Sequence, residues 1–319
     1  MIEFFKIAEI TSEENFYTKR IEDVSIPKFT LETSNTSNCN FFVILDCLDP
    51  AIDISSPRRH HEDLRIKLIG KDTPEEIEKN LKFITCANKQ DFLSCFEIFM
   101  QRFNIPGFKP IILIHAHGDK ERGLQLPDHS FVTWSELVEL FDGLTKQCNG
   151  DCTIISGFCH SFELIKHIPK NFKKLPFAFY YGYSSTISAG IIENEMNIIF
   201  QSFIDDGGKN LFNILPKLRI KFLSEFDFIM KFLAPALAMA ADPKELSKLA
   251  PQFSQERIRE SVRRGHHGPQ GGMDKIIKSL VRNGDLAVNL IEYYMHDTER
   301  KAYTLKAVAD YFSLIKKRV

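Results

Sequence analysis

Ile111-Ile112-Leu113-Ile114-His115-Ala116-His117-Gly118 decides how this sequence folds. Four consecutive aliphatic residues without polar alternation describe a strand covered on both faces, which is how the strands of a parallel sheet read. The polar, small-residue segment that follows then falls at the strand's carboxyl end. Cys152-Thr153-Ile154-Ile155-Ser156 repeats the pattern and runs into Gly157-Phe158-Cys159-His160-Ser161. Working outward, Phe41–Leu45, Leu81–Cys86 and Pro176–Tyr183 read as further strands. Helices are expected from Thr73-Pro74-Glu75-Glu76, which supplies a cap, a first-turn proline and acids on the dipole. Asp91–Phe103 (apolar at Phe92, Leu93, Phe96, Phe99 and Met100), Trp134–Leu144 and Ile187–Ile204 show helical spacing. Gly123–Leu126 and Ser130–Thr133 form a hairpin around Pro127-Asp128-His129.

Strand and helix therefore alternate from residue 41 to 204, which predicts an α/β/α three-layer domain around a mostly parallel sheet. The expected division is an extension over 1–40, the α/β domain over 41–206 and an all-helical region over 207–319. In that last region Leu211–Ala241, Lys244–Val262, Asp274–Tyr294 and Ala302–Lys317 read as helices, broken by an exposed loop at Arg263–Gly272. The segment containing Ser55-Ser56-Pro57-Arg58-Arg59-His60-His61 reads as a long polar connection.

With 41 basic and 42 acidic side chains in 319 residues, the chain is no electrostatic nucleic-acid binder by default. From Phe253 onward 13 Lys/Arg stand against 8 Asp/Glu, so the basic excess belongs to the C-terminal part. Seven cysteines in irregular spacing do not make a secreted disulfide framework, and no signal peptide or membrane span is visible. The expectation is a cytoplasmic protein with reduced thiols, no metal and no cofactor. His60-His61 and His266-His267 are adjacent pairs without supporting ligands, so they read as solvated loop.

Functional residues collect at the carboxyl ends of parallel strands. If the strands ending at Ile114 and Ser156 are neighbours, a right-handed crossover puts both ends on one edge of the sheet. His117 and Cys159 then face each other as base and nucleophile. His115 shares a strand face with His117 and is the alternative base. His117 is favoured because it directly precedes Gly118 and the loop.

Ile114-His115-Ala116-His117-Gly118, the Gly123-Leu124-Gln125-Leu126 hairpin and Cys159-His160-Ser161 together resemble the caspase-like cysteine peptidases, including metacaspases and CHAT-type proteases. Tyr180-Tyr181-Gly182-Tyr183-Ser184-Ser185 is similar to the strand and loop that wall the caspase substrate cleft. The resemblance covers roughly residues 41–204. It implies an endopeptidase in which Cys159 attacks a peptide carbonyl, His117 exchanges the proton, and the N–H groups of Gly118 and Cys159 hold the oxyanion. It further implies substrate contacts from Ser184 and Ser185, and from Arg58 and Arg59 in the place where caspases bind an acidic P1 side chain. The implied partners are a protein or peptide substrate and a regulatory protein, with the C-terminal helices as a second source of control. No membrane is implied, and no direct contact with nucleic acid. Gly157 stands where metacaspases carry an acid, and Phe162 replaces the glycine closing the nucleophile motif. Those departures motivate the alternative, a catalytically silent caspase fold acting as a binding or scaffold protein.

Overall fold

The computed structural model describes residues 6–9, 30–33, 36, 39–53, 56–102, 108–169, 174–208, 210–241, 284–296 and 298–316. In chain order its elements are β1 (Lys6–Glu9), β2 (Thr30–Thr33), β3 (Phe41–Asp46), α1 (Ser56–Leu68), α2 (Pro74–Asn80), β4 (Leu81–Thr85), α3 (Lys89–Arg102) and β5 (Pro110–His115). There follow β6 (His117–Asp119), β7 (Gly123–Gln125), β8 (Phe131–Val132), α4 (Trp134–Gln147), β9 (Thr153–Gly157), a 3-10 turn over Ser161–His167, β10 (Phe179–Gly182) and α5 (Ala189–Asp206). The rest comprises α6 (Leu211–Ile214), β11 (Lys221–Ser224), α7 (Glu225–Ala241), α8 (Asp285–Tyr294) and α9 (Thr298–Lys316).

Six strands make the central sheet in the order β11-β10-β9-β5-β3-β4. All neighbours from β4 to β10 are parallel, and β11 joins the edge antiparallel to β10. The α/β class and the parallel sheet follow from the unbroken apolar runs. β5 is buried at every position. Its Ile111 and Leu113 join Ile44, Ile155 and Tyr181 in one core, closed by Leu64 of α1 and by Met196, Ile199 and Phe200 of α5. Ile112 and Ile114 alternate to the other face, where α3 and α4 bring buried aromatic rings together, among them Phe96 and Phe141 with centroids 5.8 Å apart.

Two helix starts follow from reciprocal capping. Thr73 and Glu76, and Thr133 and Glu136, each form a capping box in which side chains satisfy the first free backbone donors. Two expectations fail. The polar connection after β3 is largely the 13-residue helix α1, which carries Arg58, Arg59, His60 and His61. The C-terminal region is not all-helical, because Lys221–Ser224 is a strand inside the stretch read as one helix from Leu211 to Ala241. It is four residues long at a sheet edge, too short to show a period. The expected helix Lys244–Val262 and the loop Arg263–Gly272 lie outside the described residues.

Contacts divide the chain into two compact units, Met1–Lys6 with Thr33–Glu225 and Ile7–Glu32 with Phe226–Val319. In the second unit α8 packs on α9, and Phe228 of α7 meets Tyr294 edge-on at 5.5 Å. Among the described residues no helix is long and apolar enough to cross a membrane.

The direction of chain growth reverses between β3 and β5. From β3 the chain adds β4 on one side, then crosses back to add β5 on the other and continues through β9 to β10. β3 and β5 therefore flank the point where the strand order reverses, and the carboxyl edge at such a point is where α/β proteins place their ligands. On the far side, buried Glu195 of α5 accepts the N–H groups of Arg219 (2.7 Å) and Ile220 (3.0 Å) and fixes the chain entering β11. Replacing Glu195 by Ala strands both donors and is expected to cost about 3 kcal/mol. A urea midpoint equal to that of the parent protein would count against this clamp.

Candidate functional site

β5 and β9 are adjacent, and His115 is the register partner of Gly157. The backbone that continues past each strand brings the two sequence motifs together. A Cβ placed on Gly118 would lie 1.9 Å from the carbonyl oxygen of Cys159 and 2.8 Å from the Phe158 ring. No side chain fits there, so glycine at 118 is what lets the His117–Gly118 backbone lie directly against the cysteine segment. Trp134, at the start of α4, braces both sides. Its indole N–H donates to the Lys120 carbonyl at 3.0 Å, and its ring stacks on Phe158 at 6.2 Å.

The two histidines that the sequence leaves on one face have different surroundings. β5 ends at His115, Ala116 interrupts the strand, and His117 opens β6 in a separate three-stranded sheet with β7 and β8. His117 has a side chain 55% exposed, and its Nε2 lies 3.0 Å from both carboxylate oxygens of Asp53. His115 is buried and stacks on His60 of α1, with ring centroids 5.1 Å apart and planes 20° apart. His60 is in turn held by Asn197 of α5 through Nδ1 at 3.2 Å. The Nε2 atoms of both His60 and His115 are buried without a hydrogen-bond partner. His60 is therefore core rather than solvated loop. His61 packs edge-on against Phe83 at 5.6 Å.

Cys159 is partly exposed at the end of β9. Its thiol contacts both backbone groups of Ile187, accepting from the N–H at 3.4 Å and donating to the carbonyl at 3.5 Å. His160 next to it adopts the left-handed conformation (φ 58°), which turns the chain sharply into the 3-10 segment. The turn is fixed by several bonds. Ser161 Oγ donates to the Ser156 carbonyl at 3.0 Å and accepts the Tyr183 N–H at 2.8 Å, and Tyr180 donates its hydroxyl to the Ser161 carbonyl at 2.7 Å. The His160 N–H reaches the Ser185 carbonyl at 3.2 Å, and its Nε2 lies 3.1 Å from Thr186 Oγ1. The loop after β10, with Ser184 and Ser185 exposed, is thereby folded onto the cysteine segment.

The arginines behave differently from one another. Arg59 is committed to Glu193 of α5 at 3.0 Å. Arg58 lies over the Phe83 ring, 5.4 Å from its centroid, and its charge favours ionisation of Asp46 at the end of β3. Neither belongs to a loop. Asp53 is the residue that sequence reading missed. It sits in an irregular turn with no periodicity, and only its place just beyond a strand's carboxyl end could have marked it.

All seven cysteines are free thiols. Several are chemically silenced. Burial pushes Cys39 up to about 12 and Cys152 well up, while Cys86 and Cys95 are raised by the hydrogen bonds within a buried group that includes Cys47, their sulfurs 3.7 Å apart. Among the described residues no cluster of three or more His, Cys, Asp or Glu could hold a metal ion.

Two outcomes follow from this packing. Gly118→Ala forces backbone apart at 1.9 Å and should destabilise by about 3 kcal/mol while displacing the cysteine segment; an unchanged melting curve would refute the close approach. Burial holds His115 well below its ordinary 6.5 and His60 also below it, against the pull of Asn197. The unfolded chain thus binds protons near pH 6.5 that the folded protein refuses. Their contribution to stability is full above that pH and is lost as the pH falls below it. The urea midpoint should decline from pH 6.5 to 5 and do so less steeply in His115→Phe; an identical slope in that variant would contradict the assignment.

No protein-family model and no curated protein matches the chain.

Proposed function

We propose that the protein is a cysteine endopeptidase of the caspase-like type, with Cys159 as nucleophile and His117 as its acid–base partner. The observation that carries this reading is the seating of the His117–Gly118 backbone against the carbonyl of Cys159, possible only with glycine at 118. A mostly parallel sheet and a small hairpin between β5 and α4 support the reading.

In this mechanism the thiol proton passes from Sγ to the imidazole, and the thiolate attacks the scissile carbonyl to give a tetrahedral oxyanion. Backbone N–H groups at Gly118 and Cys159 are assigned to that oxygen. Collapse expels the amine, which takes the proton back from His117, and water then hydrolyses the thioester with the same histidine as base. The exposed Ser184–Ser185 segment, tied to the cysteine turn through His160, supplies backbone for an extended peptide to run along. The Phe162 ring, 6.0 Å from that of Tyr180, takes the place of the family glycine by packing on β10. The same feature favours the second reading, a silent fold that binds without cutting.

A library of peptides bearing an electrophilic ketone should label Cys159, and His117→Ala should slow labelling about 100-fold. Cys159→Ala should abolish cleavage of a matching peptide library. Labelling that ignores His117, or cleavage that survives Cys159→Ala, would leave the silent binding fold as the better reading.

A further inference from the structure

The loop between β3 and α1 is short, acidic and internally bonded. Asp53 N–H donates to the Asp49 carbonyl at 2.8 Å, and Asp49 N–H donates to Asp53 Oδ2 at 2.9 Å. Ala51 N–H is taken by Asp49 Oδ1 at 2.9 Å, and Leu48 N–H by Asp46 Oδ1 at 3.2 Å. The Asp53 carboxylate is thus fixed by its own loop, with a side chain only 17% exposed, before it meets His117. That loop leaves β3 on one side of the point where the strand order reverses, and His117 stands beyond β5 on the other.

We propose that Asp53 is the positioning residue of the site, holding His117 by Nε2 so that Nδ1 is the nitrogen that exchanges a proton with Cys159. The proposal rests on the reading of Cys159 and His117 as a catalytic pair. A carboxylate on Nε2–H selects the tautomer whose Nδ1 carries the lone pair. When the Sγ–H bond breaks and the Nδ1–H bond forms, the ring gains a positive charge beside the Asp53 negative charge, and the thiolate gains the electron pair. The carboxylate therefore favours the imidazolium and, through it, the thiolate.

The surroundings leave Asp53 free for this role. Burial raises Asp46 on β3 above the usual carboxylate range, with the Leu48 N–H and Arg58 of α1 opposing the rise and Asp53 adding to it. On the histidine's own hairpin, Asp119 is occupied by the N–H groups of Glu121 and Arg122 and by the Arg122 guanidinium. Gln125, the register partner of His117, is uncharged. His115 and His60 are held neutral by burial. Asp53 is the carboxylate that touches the His117 ring.

Asp53→Asn keeps an oxygen for the Asp49 N–H but removes the charge and turns an amide N–H donor toward His117; Asp53→Glu restores the charge on a longer stem. With ring nitrogens labelled for NMR, the full-length protein should show His117 protonated on Nε2 when neutral. In Asp53→Asn that preference for the Nε2 tautomer should fall at least threefold, and in Asp53→Glu it should return at least halfway. Iodoacetamide alkylation of Cys159 at pH 6, followed by peptide mass mapping, should slow about tenfold in Asp53→Asn and recover in Asp53→Glu, while Cys39 is unaffected. An unchanged His117 tautomer in Asp53→Asn would overturn the positioning role. A changed tautomer with Cys159 alkylation indifferent to both Asp53→Asn and His117→Ala would keep the Asp53–His117 bond but overturn the catalytic pair on which the proposal rests.

Discussion

The close approach of Gly118 to the Cys159 carbonyl is the constraint on which the site depends. Two parallel strands in register, Ile111–His115 with Thr153–Gly157, set their carboxyl ends at one level. That alone would leave the following segments a strand spacing apart. Only the absence of a Cβ at 118 lets them touch, and the contact converts two independent strand exits into one surface. Trp134 then holds that surface from below, stacking on Phe158 and taking the Lys120 carbonyl, so the sole tryptophan of the chain braces both halves.

Around this seam the polar groups are sorted by depth. His115 and His60 lie stacked inside the sheet–helix layer, where burial disfavours a charge on either ring. His117 lies outside, reached by water and by the Asp53 carboxylate. Ala116, one residue between them, ends β5 and redirects the chain into β6. The same side-chain chemistry is thus made inert or available according to which side of the strand end it occupies. The thiols are divided in the same manner: Cys39, Cys86, Cys95 and Cys152 are pushed up by burial or by one another, whereas Cys159 meets solvent at the strand end.

The sheet was legible because its central strands are apolar on both faces, a pattern that surface elements do not produce. β3, β5 and β9 each carry such a run, and the helix boundaries at Thr73 and Thr133 carry capping residues. α1 was obscured by composition. Ser-Pro-Arg-Arg-His-His is polar enough to pass for a loop, although Ser56-Pro57 is a helix-start signal, and the burial of His60 depends on a partner far along the chain. β11 was obscured by length and by its place on the edge, where its pairing comes from β10 rather than from its own sequence. Asp53 was hidden because nothing local distinguishes it from Asp46 or Asp49. What distinguishes it is the loop's fold and a histidine on a different strand.

The strand exits that carry His117 and Cys159 could be placed together from the sequence because each follows a strand that announces itself, and parallel neighbours share an edge. A third group that arrives from the other side of the switch point has no such marker. Strand order places β3 beside β5 where the order reverses, and the β3 loop meets the His117 ring at Nε2. Asp53 makes that contact with a carboxylate already anchored to Asp49, so little further entropy is lost in holding it there. A flexible acid in the same loop would offer the same charge with poorer aim. The hydrogen-bonded turn over Asp49–Asp53 is therefore as much a part of the site as the carboxylate it carries.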